Sequence, residues 1–254
     1  MKYRKISRCN SIKVSEIALG CEGFLGKTKE EYKAMVDRAF ELGINFIDMY
    51  TSNPEFRDNF GYAIKGRRDK IVLQGHICSV WENGQYLRTR DINKTKAGFE
   101  DQLKRLGTDY LDIGMIHYVD GIDDFNEVFN ADIIKYCIEL KEKGIIKAIG
   151  ISSHNPVVAK KAVETGYIDV LMFSVNAAYD MQPPNEDVDE LWNPENYKNG
   201  LVNIDSDRKE LYELCERMGV AIDVMKAFGG GDMLNAELSP FSGYFKSCCR
   251  RFGT

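Results

Sequence analysis

The chain has 254 residues, of which 44% are hydrophobic and 29% charged, and its formal net charge is -5. This length suits one barrel-sized domain of roughly 250 residues with a sizeable core, and the acidic balance argues against a nucleic-acid partner. No apolar run approaches the roughly 20 residues that cross a bilayer, and Met1-Lys2-Tyr3-Arg4-Lys5 leads into no apolar signal core, so no membrane partner and a cytoplasmic location are expected.

One unit recurs along the chain: a short apolar run, a polar stretch, an amphipathic helical pattern, then often glycine. Val14–Gly20 is the first run. A predicted helix follows over Lys29–Leu42, with Thr28 as its N-cap and Gly43 just past its end. Ile44–Met49 precedes a helix around Phe56–Ile64. Lys70–Gly75 precedes a helix over Asp91–Leu106. Tyr110–His117 precedes one around Ile133–Lys143, and Ile145–Ile151 one from Pro156 to Glu164. Ile168–Val175 leads into a long acidic, proline-containing loop, Asn176–Ile204, and then a helix over Arg208–Met218. Val220–Met225 is the seventh run.

These runs are continuously apolar, as strands covered on both faces are. Strands that alternate with helices build a parallel sheet, and no Gly-x-Gly-x-x-Gly follows the first strand. The expected class is therefore α/β, a (β/α)8 TIM barrel that is incomplete, with seven strand–helix units readable. The whole of 1–254 reads as a single barrel domain. Residues 242–254, basic and cysteine-rich, show no strand–helix unit and read as a divergent or truncated tail. The seven cysteines are odd in number, and the first five are scattered, which argues for reduced thiols rather than a disulfide framework.

In such a barrel the residues just beyond each strand face the active site. Those positions hold Asp48 and Tyr50, His76, His117, then Ser152, Ser153, His154 and Asn155. Ser174 and Asn176 follow, then Lys226 with Gly229, Gly230 and Gly231. All three histidines of the chain fall at strand ends. Trp81, Tyr86 and Trp192 lie in predicted loops over the mouth, where they can line a substrate pocket. Arg88 and Arg90 read as surface charges at a helix entry, and the acids of Glu186–Glu190 as solvated.

Several segments resemble the aldo-keto reductase family. Lys2–Lys5 with Val14–Gly20 resembles its opening hairpin and first strand. Gly43-Ile44-Asn45-Phe46-Ile47-Asp48 resembles the segment with the catalytic aspartate, and Leu103–Asp112 running on to Met115-Ile116-His117 the segment with the catalytic histidine. Lys147–His154 resembles the motif that holds the nicotinamide carboxamide. Ser-Ser-His and Met-Lys-Ala-Phe-Gly-Gly-Gly are most similar to the bacterial branch that carries a C-terminal ferredoxin-like extension, absent here, so no iron–sulfur cluster is expected. The resemblance implies hydride transfer from NADPH to a small-molecule carbonyl substrate. It implies a catalytic set of Asp48, Tyr50, His76 and His117, and a cofactor site formed by Gly20, Cys21, Ser152, Ser153, Asn176, Lys226, Gly229 and Gly230.

Three positions depart from the family. Asn53 stands where the proton-donating Tyr is expected, leaving Tyr50, two residues beyond Asp48, as the nearest tyrosine. His76 takes the place of the Lys, and Val175 that of the Tyr that stacks on the nicotinamide. A protonated His76 can still polarise a phenol or carbonyl, and Asp48 beside it favours that charged form. Two other readings stay open. Asp48, His76, His117 and His154 are the right residue types for a metal-dependent hydrolase-like site. A non-catalytic or truncated barrel is the other.

Overall fold

In a computed structural model, residues 1–197 and 203–229 are described. The chain opens with a hairpin, β1 (Tyr3–Ile6) and β2 (Cys9–Ser15), followed by the first barrel strand, β3 (Ala18–Gly20), and helix α1 (Lys29–Glu41). Next come β4 (Phe46–Met49), α2 (Pro54–Ile64) and β5 (Val72–Ile77). A second hairpin, β6 (Ser79–Glu82) and β7 (Gln85–Arg88), precedes α3 (Ile92–Leu106). Then follow β8 (Leu111–Ile116), α4 (Ile122–Phe129), α5 (Asp132–Glu142), β9 (Ile146–Ser153), α6 (Pro156–Glu164), β10 (Val170–Ser174), α7 (Ser206–Met218) and β11 (Ala221–Met225).

Seven of the strands form one parallel sheet in the order β11-β10-β9-β8-β5-β4-β3. With helices packed on its outer face, it is the incomplete (β/α)8 barrel expected from the seven apolar runs. Among the described residues β3 and β11 are its two edges.

Local chemistry starts and stops the helices where the sequence indicates. Thr28 and Glu31 form a reciprocal capping box on α1. The Asn53 side chain accepts from Phe56 N, with Pro54 in the first turn of α2. Asn53 therefore starts a helix at the position where the family resemblance expects a tyrosine. Asp91 and Asp205 cap α3 and α7, which end at Gly107 and Gly219 in the left-handed conformation. Gly61 lets α2 approach α3, since a Cβ there would lie 2.3 Å from the Arg105 carbonyl oxygen.

Alternation along the strands sorts two faces. Ile47, Met49, Leu73 and Ile77 join the large core between sheet and helices. Phe46, Val72, Ile113, Met115, Ala148, Val170 and Met172 form a second cluster inside the barrel, closed below by Ile6 and Ile12 of the first hairpin. Continuing up the inner face by twos, Phe46 leads to Asp48, Val72 to Gln74 and His76, and Met115 to His117. The inner face is apolar at the bottom and polar at the top.

Three features depart from the sequence reading. Val14–Gly20 is split: Val14 belongs to the hairpin, and only Ala18–Gly20 is a barrel strand. Two helices, not one, lie between β8 and β9. The stretch around Trp81 and Tyr86 is a hairpin rather than a loop, with Asn83 and Gly84 at φ 53° and 77° in its turn. The Asn-Gly pair between alternating strands marks that turn type.

Candidate active site

Four side chains, on β4, β5 and β7 and just past the end of β8, form a continuous hydrogen-bonded line across the top of the inner face. Asp48 Oδ1 lies 3.0 Å from His76 Nε2. His76 Nδ1 lies 2.5 Å from His117 Nδ1, and His117 Nε2 is hydrogen-bonded to the Tyr86 hydroxyl of the second hairpin. His76 is 3% exposed and His117 9%, so neither imidazole is free to turn away into water. Burial holds the His117 pKa well below the ordinary histidine value, reinforced by His76 and by Arg90 and Arg88. His117 is therefore neutral near pH 7. Burial also pushes the Tyr86 hydroxyl up to about 12, so it carries its proton.

A second branch runs deeper. Gln74 Nε2 donates to Asp48 Oδ1 at 2.8 Å and to Asp223 Oδ2 at 2.9 Å. Asp223 sits on β11 in register with Met172 and so faces the interior. Burial, with Asp48 nearby, raises its pKa from 3.8 to about 6. A carboxyl raised in the folded state stabilises the fold below its unfolded pKa, and that contribution is lost as pH rises through the folded value. Asp223→Asn, which can still accept from Gln74, is expected to remove this loss. Its stability relative to wild type should rise by about 1–2 kcal/mol between about pH 4 and pH 7, less than the full shift because Asp223 keeps some solvent contact. Urea unfolding across that range reads the difference, and parallel wild-type and variant profiles would show that Asp223 is not the titrating group.

The second hairpin is fastened to the strand end that bears His117. Arg90 Nη2 donates to the carbonyls of His117 and Tyr118 at 3.0 and 2.7 Å, and Arg90 also pairs with Asp124. Arg88 donates to the Tyr118 carbonyl and to Asp124. Arg90, expected to be a surface charge, is largely buried and ties the hairpin down. Cys78 and Tyr118, which directly or nearly follow the two histidine-bearing strands, have φ of 70° and 50°. Left-handed backbone at such residues is sparsely populated and clusters at functional sites.

His154 belongs to another group. Its Nδ1 lies 2.8 Å from Asp120 Oδ2, while Asp120 Oδ1 accepts from His154 N and Ser153 Oγ. Although burial pushes the Asp120 carboxyl up, these hydrogen bonds and the imidazole hold it below its usual value. Among the described residues no group of three or more His, Cys, Asp and Glu side chains converges to hold a metal ion. The four residues of the hydrolase-like reading are split between two networks.

The profile of the Aldo/keto reductase family matches residues 16–243. The chain belongs to the aldo-keto reductase family. The uncharacterized oxidoreductase YqkF of Bacillus subtilis is 33% identical over 190 residues, covering 72% of this chain and 58% of YqkF. The aldo-keto reductase YhdN of the same organism is 32% identical over 162 residues, 60% of this chain and 47% of YhdN. The chain thus spans roughly half the length of these curated relatives. The holo form of the aldo-keto reductase AKR11C1 from Bacillus halodurans superposes with a TM-score of 0.68 at 27% identity, covering 88% of this chain and 65% of that one.

In this aldo-keto reductase the other described positions named from the sequence lie at or just past strand ends. Gly20 pairs with Asp48 across β3 and β4, and a Cβ on it would meet nothing within 4 Å. Cys21 is buried, and its thiol pKa is raised well above the ordinary value by burial and by Asp48. Ser152 Oγ accepts from Tyr118 N, whereas the Ser153 hydroxyl is spent on Asp120. Asn176 Nδ2 donates to the Lys226 carbonyl, and its Oδ1 accepts from Ala178 N and Tyr179 N. Burial lowers the pKa of Lys226. Gly229 has φ 60° and its N–H closes a turn on Lys226. Gly230 and the tail 242–254 lie outside the described residues.

The donor set suits a nicotinamide cofactor. Among the described residues the Ser152 hydroxyl hydrogen has no acceptor and the Ser174 hydroxyl, buried at the end of β10, has no partner, while Lys226 brings an ammonium group to the same side. Tyr50 is half-buried with its ring 6.4 Å from that of Tyr86, and no hydrogen bond joins its hydroxyl to either histidine. Sequence reasoning passed over Gln74, Asp120 and Asp223, and placed Tyr86 in a loop. The Asn-Gly turn signal was available for Tyr86. A lone Asp within an apolar run was the signal for Asp223.

Proposed function

We propose that this aldo-keto reductase reduces a small-molecule carbonyl substrate with NADPH, in the cytoplasm. The observation that carries this reading is the line from Asp48 through His76 to His117 at the C-terminal ends of neighbouring strands, where barrel enzymes do their chemistry. When bound, NADPH supplies a hydride to the carbonyl carbon, which leaves negative charge on the carbonyl oxygen. The protein's task is then to hold that oxygen and deliver one proton to it. The strand-end histidines and the tyrosine hydroxyl bonded to His117 are the groups proposed for this task, with Asp48 as the fixed negative end of the line. Ser152, Ser174 and Lys226 are the residues proposed to hold the cofactor, alongside the open surface above Gly20. Membership of the family and the uncommitted donors at the rim support NADPH, and among the described residues no helix is long and apolar enough to cross a membrane.

The test is a titration of NADPH with the purified protein, followed by cofactor fluorescence. A saturable change is expected. A flat titration up to about millimolar cofactor, the upper end of ordinary Michaelis constants, overturns the reading.

A further inference from the structure

We propose that Tyr86, on the second hairpin, is the acid that protonates the substrate oxygen, and that His117 resupplies its proton while His76 and Asp48 fix the tautomer of His117. This rests on the reductase reading above and adds to it the identity of the proton donor.

With Asp48 ionised and both imidazoles neutral, the hydrogen-bond line has one order of donors. Ionised Asp48 can only accept, so His76 Nε2 carries a hydrogen toward it. In a neutral imidazole the other nitrogen is then a lone pair, so His76 Nδ1 accepts and His117 Nδ1 donates. His117 Nε2 is left as an acceptor, and the Tyr86 hydroxyl donates to it. One carboxylate thus dictates the tautomers of two buried rings and the orientation of a phenol. Tyr50, the tyrosine closest to Asp48 in sequence, takes no part in this order. Its ring meets that of Tyr86 edge-on at 6.4 Å between centroids, whereas the Tyr86 ring lies 5.5 Å from that of His117.

The placement of Tyr86 is built in. It faces Trp81 across a hairpin whose turn is fixed by Asn83 and Gly84. Arg88 and Arg90, just beyond it, grip the carbonyls of His117 and Tyr118. Lys94 of α3 pairs with Glu82 on the other hairpin strand. The hairpin therefore moves with the strand end that carries His117, and the Tyr86–His117 contact does not depend on a loose loop.

The proton balance closes as follows. At rest both imidazoles are neutral; the net reaction consumes one solvent proton, which the imidazole pair takes up transiently as charge develops on the substrate oxygen, and in that state His117 Nε2–H donates to the Tyr86 oxygen and the phenol hydrogen turns to the substrate. The reduced nicotinamide cofactor supplies the two electrons and the hydrogen that form the new C–H bond. The Tyr86 O–H bond breaks and its proton passes to the resulting alkoxide. The His117 Nε2–H bond breaks and its proton passes to the Tyr86 oxygen. Tyr86 ends as a neutral phenol and the imidazole pair as neutral rings. Asp48 remains a carboxylate throughout and balances the transient imidazolium.

Two measurements test this. In the cofactor-free protein, imidazole nitrogen NMR is expected to show His117 protonated at Nδ1, with Nε2 a hydrogen-bonded acceptor. Tyr86→Phe should move the Nε2 resonance to that of a free lone pair, and Tyr50→Phe should leave it unchanged. His76→Leu, which removes the acceptor for Nδ1–H, should abolish the fixed tautomer, a change that a merely structural role would not produce. In turnover, Tyr86→Phe is expected to lower kcat for aldehyde reduction by about 10²–10³-fold with NADPH affinity kept, as loss of a general acid does. Tyr50→Phe should cost less than about fivefold by the same reasoning. A wild-type enzyme that turns over while Tyr50→Phe collapses and Tyr86→Phe does not overturns this inference alone. A wild type that neither binds nor oxidises NADPH overturns the reductase reading, and this inference with it.

Discussion

His117→Ala is expected to lower kcat/KM for NADPH-dependent carbonyl reduction by about 10³-fold, the scale of losing both a proton-transfer partner and a charge-stabilising donor. The size follows from position. His117 is the only residue that touches both His76 and a tyrosine hydroxyl in the line. Alanine removes the route by which the hydroxyl is resupplied and leaves His76 Nδ1 facing a cavity. The effect should fall on kcat, because His117 is not among the residues proposed to hold the cofactor. Steady-state kinetics with a short aldehyde measures it, alongside an NADPH titration of the same variant. A variant within tenfold of wild type would remove His117 from the chemistry.

Asp112→Ala should destabilise the fold rather than disable the chemistry. Asp112 lies on β8, is 3% exposed and is the meeting point of three elements. Its Oδ2 accepts from Arg68 Nη1 and from Leu73 N, both at 2.9 Å, and its Oδ1 from Lys147 Nζ at 2.7 Å. Breaking a buried ion pair from one side leaves uncompensated charge and costs about 3–5 kcal/mol. The lower end applies here, about 3 kcal/mol, because Lys147 can return to water and Arg68 keeps the carbonyls of Ile71 and Tyr110. Urea denaturation monitored by circular dichroism gives the value. A loss below about 1 kcal/mol would mean that the cluster is solvated like a surface pair.

These two residues also show what could be read from the sequence. His117 was legible because it ends an apolar run, and polar residues at that boundary face the barrel mouth. Asp112 belongs to the same family-like stretch, yet it serves the fold, and only its partners on β5 and β9 reveal that. His76 is legible from its place just past the Lys70–Gly75 run. Tyr86 was seen as a residue over the mouth but not as a partner of His117, since that contact depends on how a hairpin folds back. Arg90 looked like a surface charge because nothing local indicates that its guanidinium turns inward to two carbonyls. Asp223 was hidden within an apolar run, where one polar residue does not disturb the strand pattern. What is local, such as capping, alternation and strand ends, was visible. What depends on distant segments meeting was not.

If the polar line over the barrel serves hydride transfer from a nicotinamide cofactor to a carbonyl, the transferred atom can be followed. The most direct measurement is isotopic. NADPH deuterated at its transferable position is incubated with the protein and an aldehyde, and the alcohol is analysed by mass spectrometry. One deuterium per molecule at the carbinol carbon is the expected result. Alcohol formed without label, or no alcohol at all from folded protein with saturating NADPH, would contradict the account.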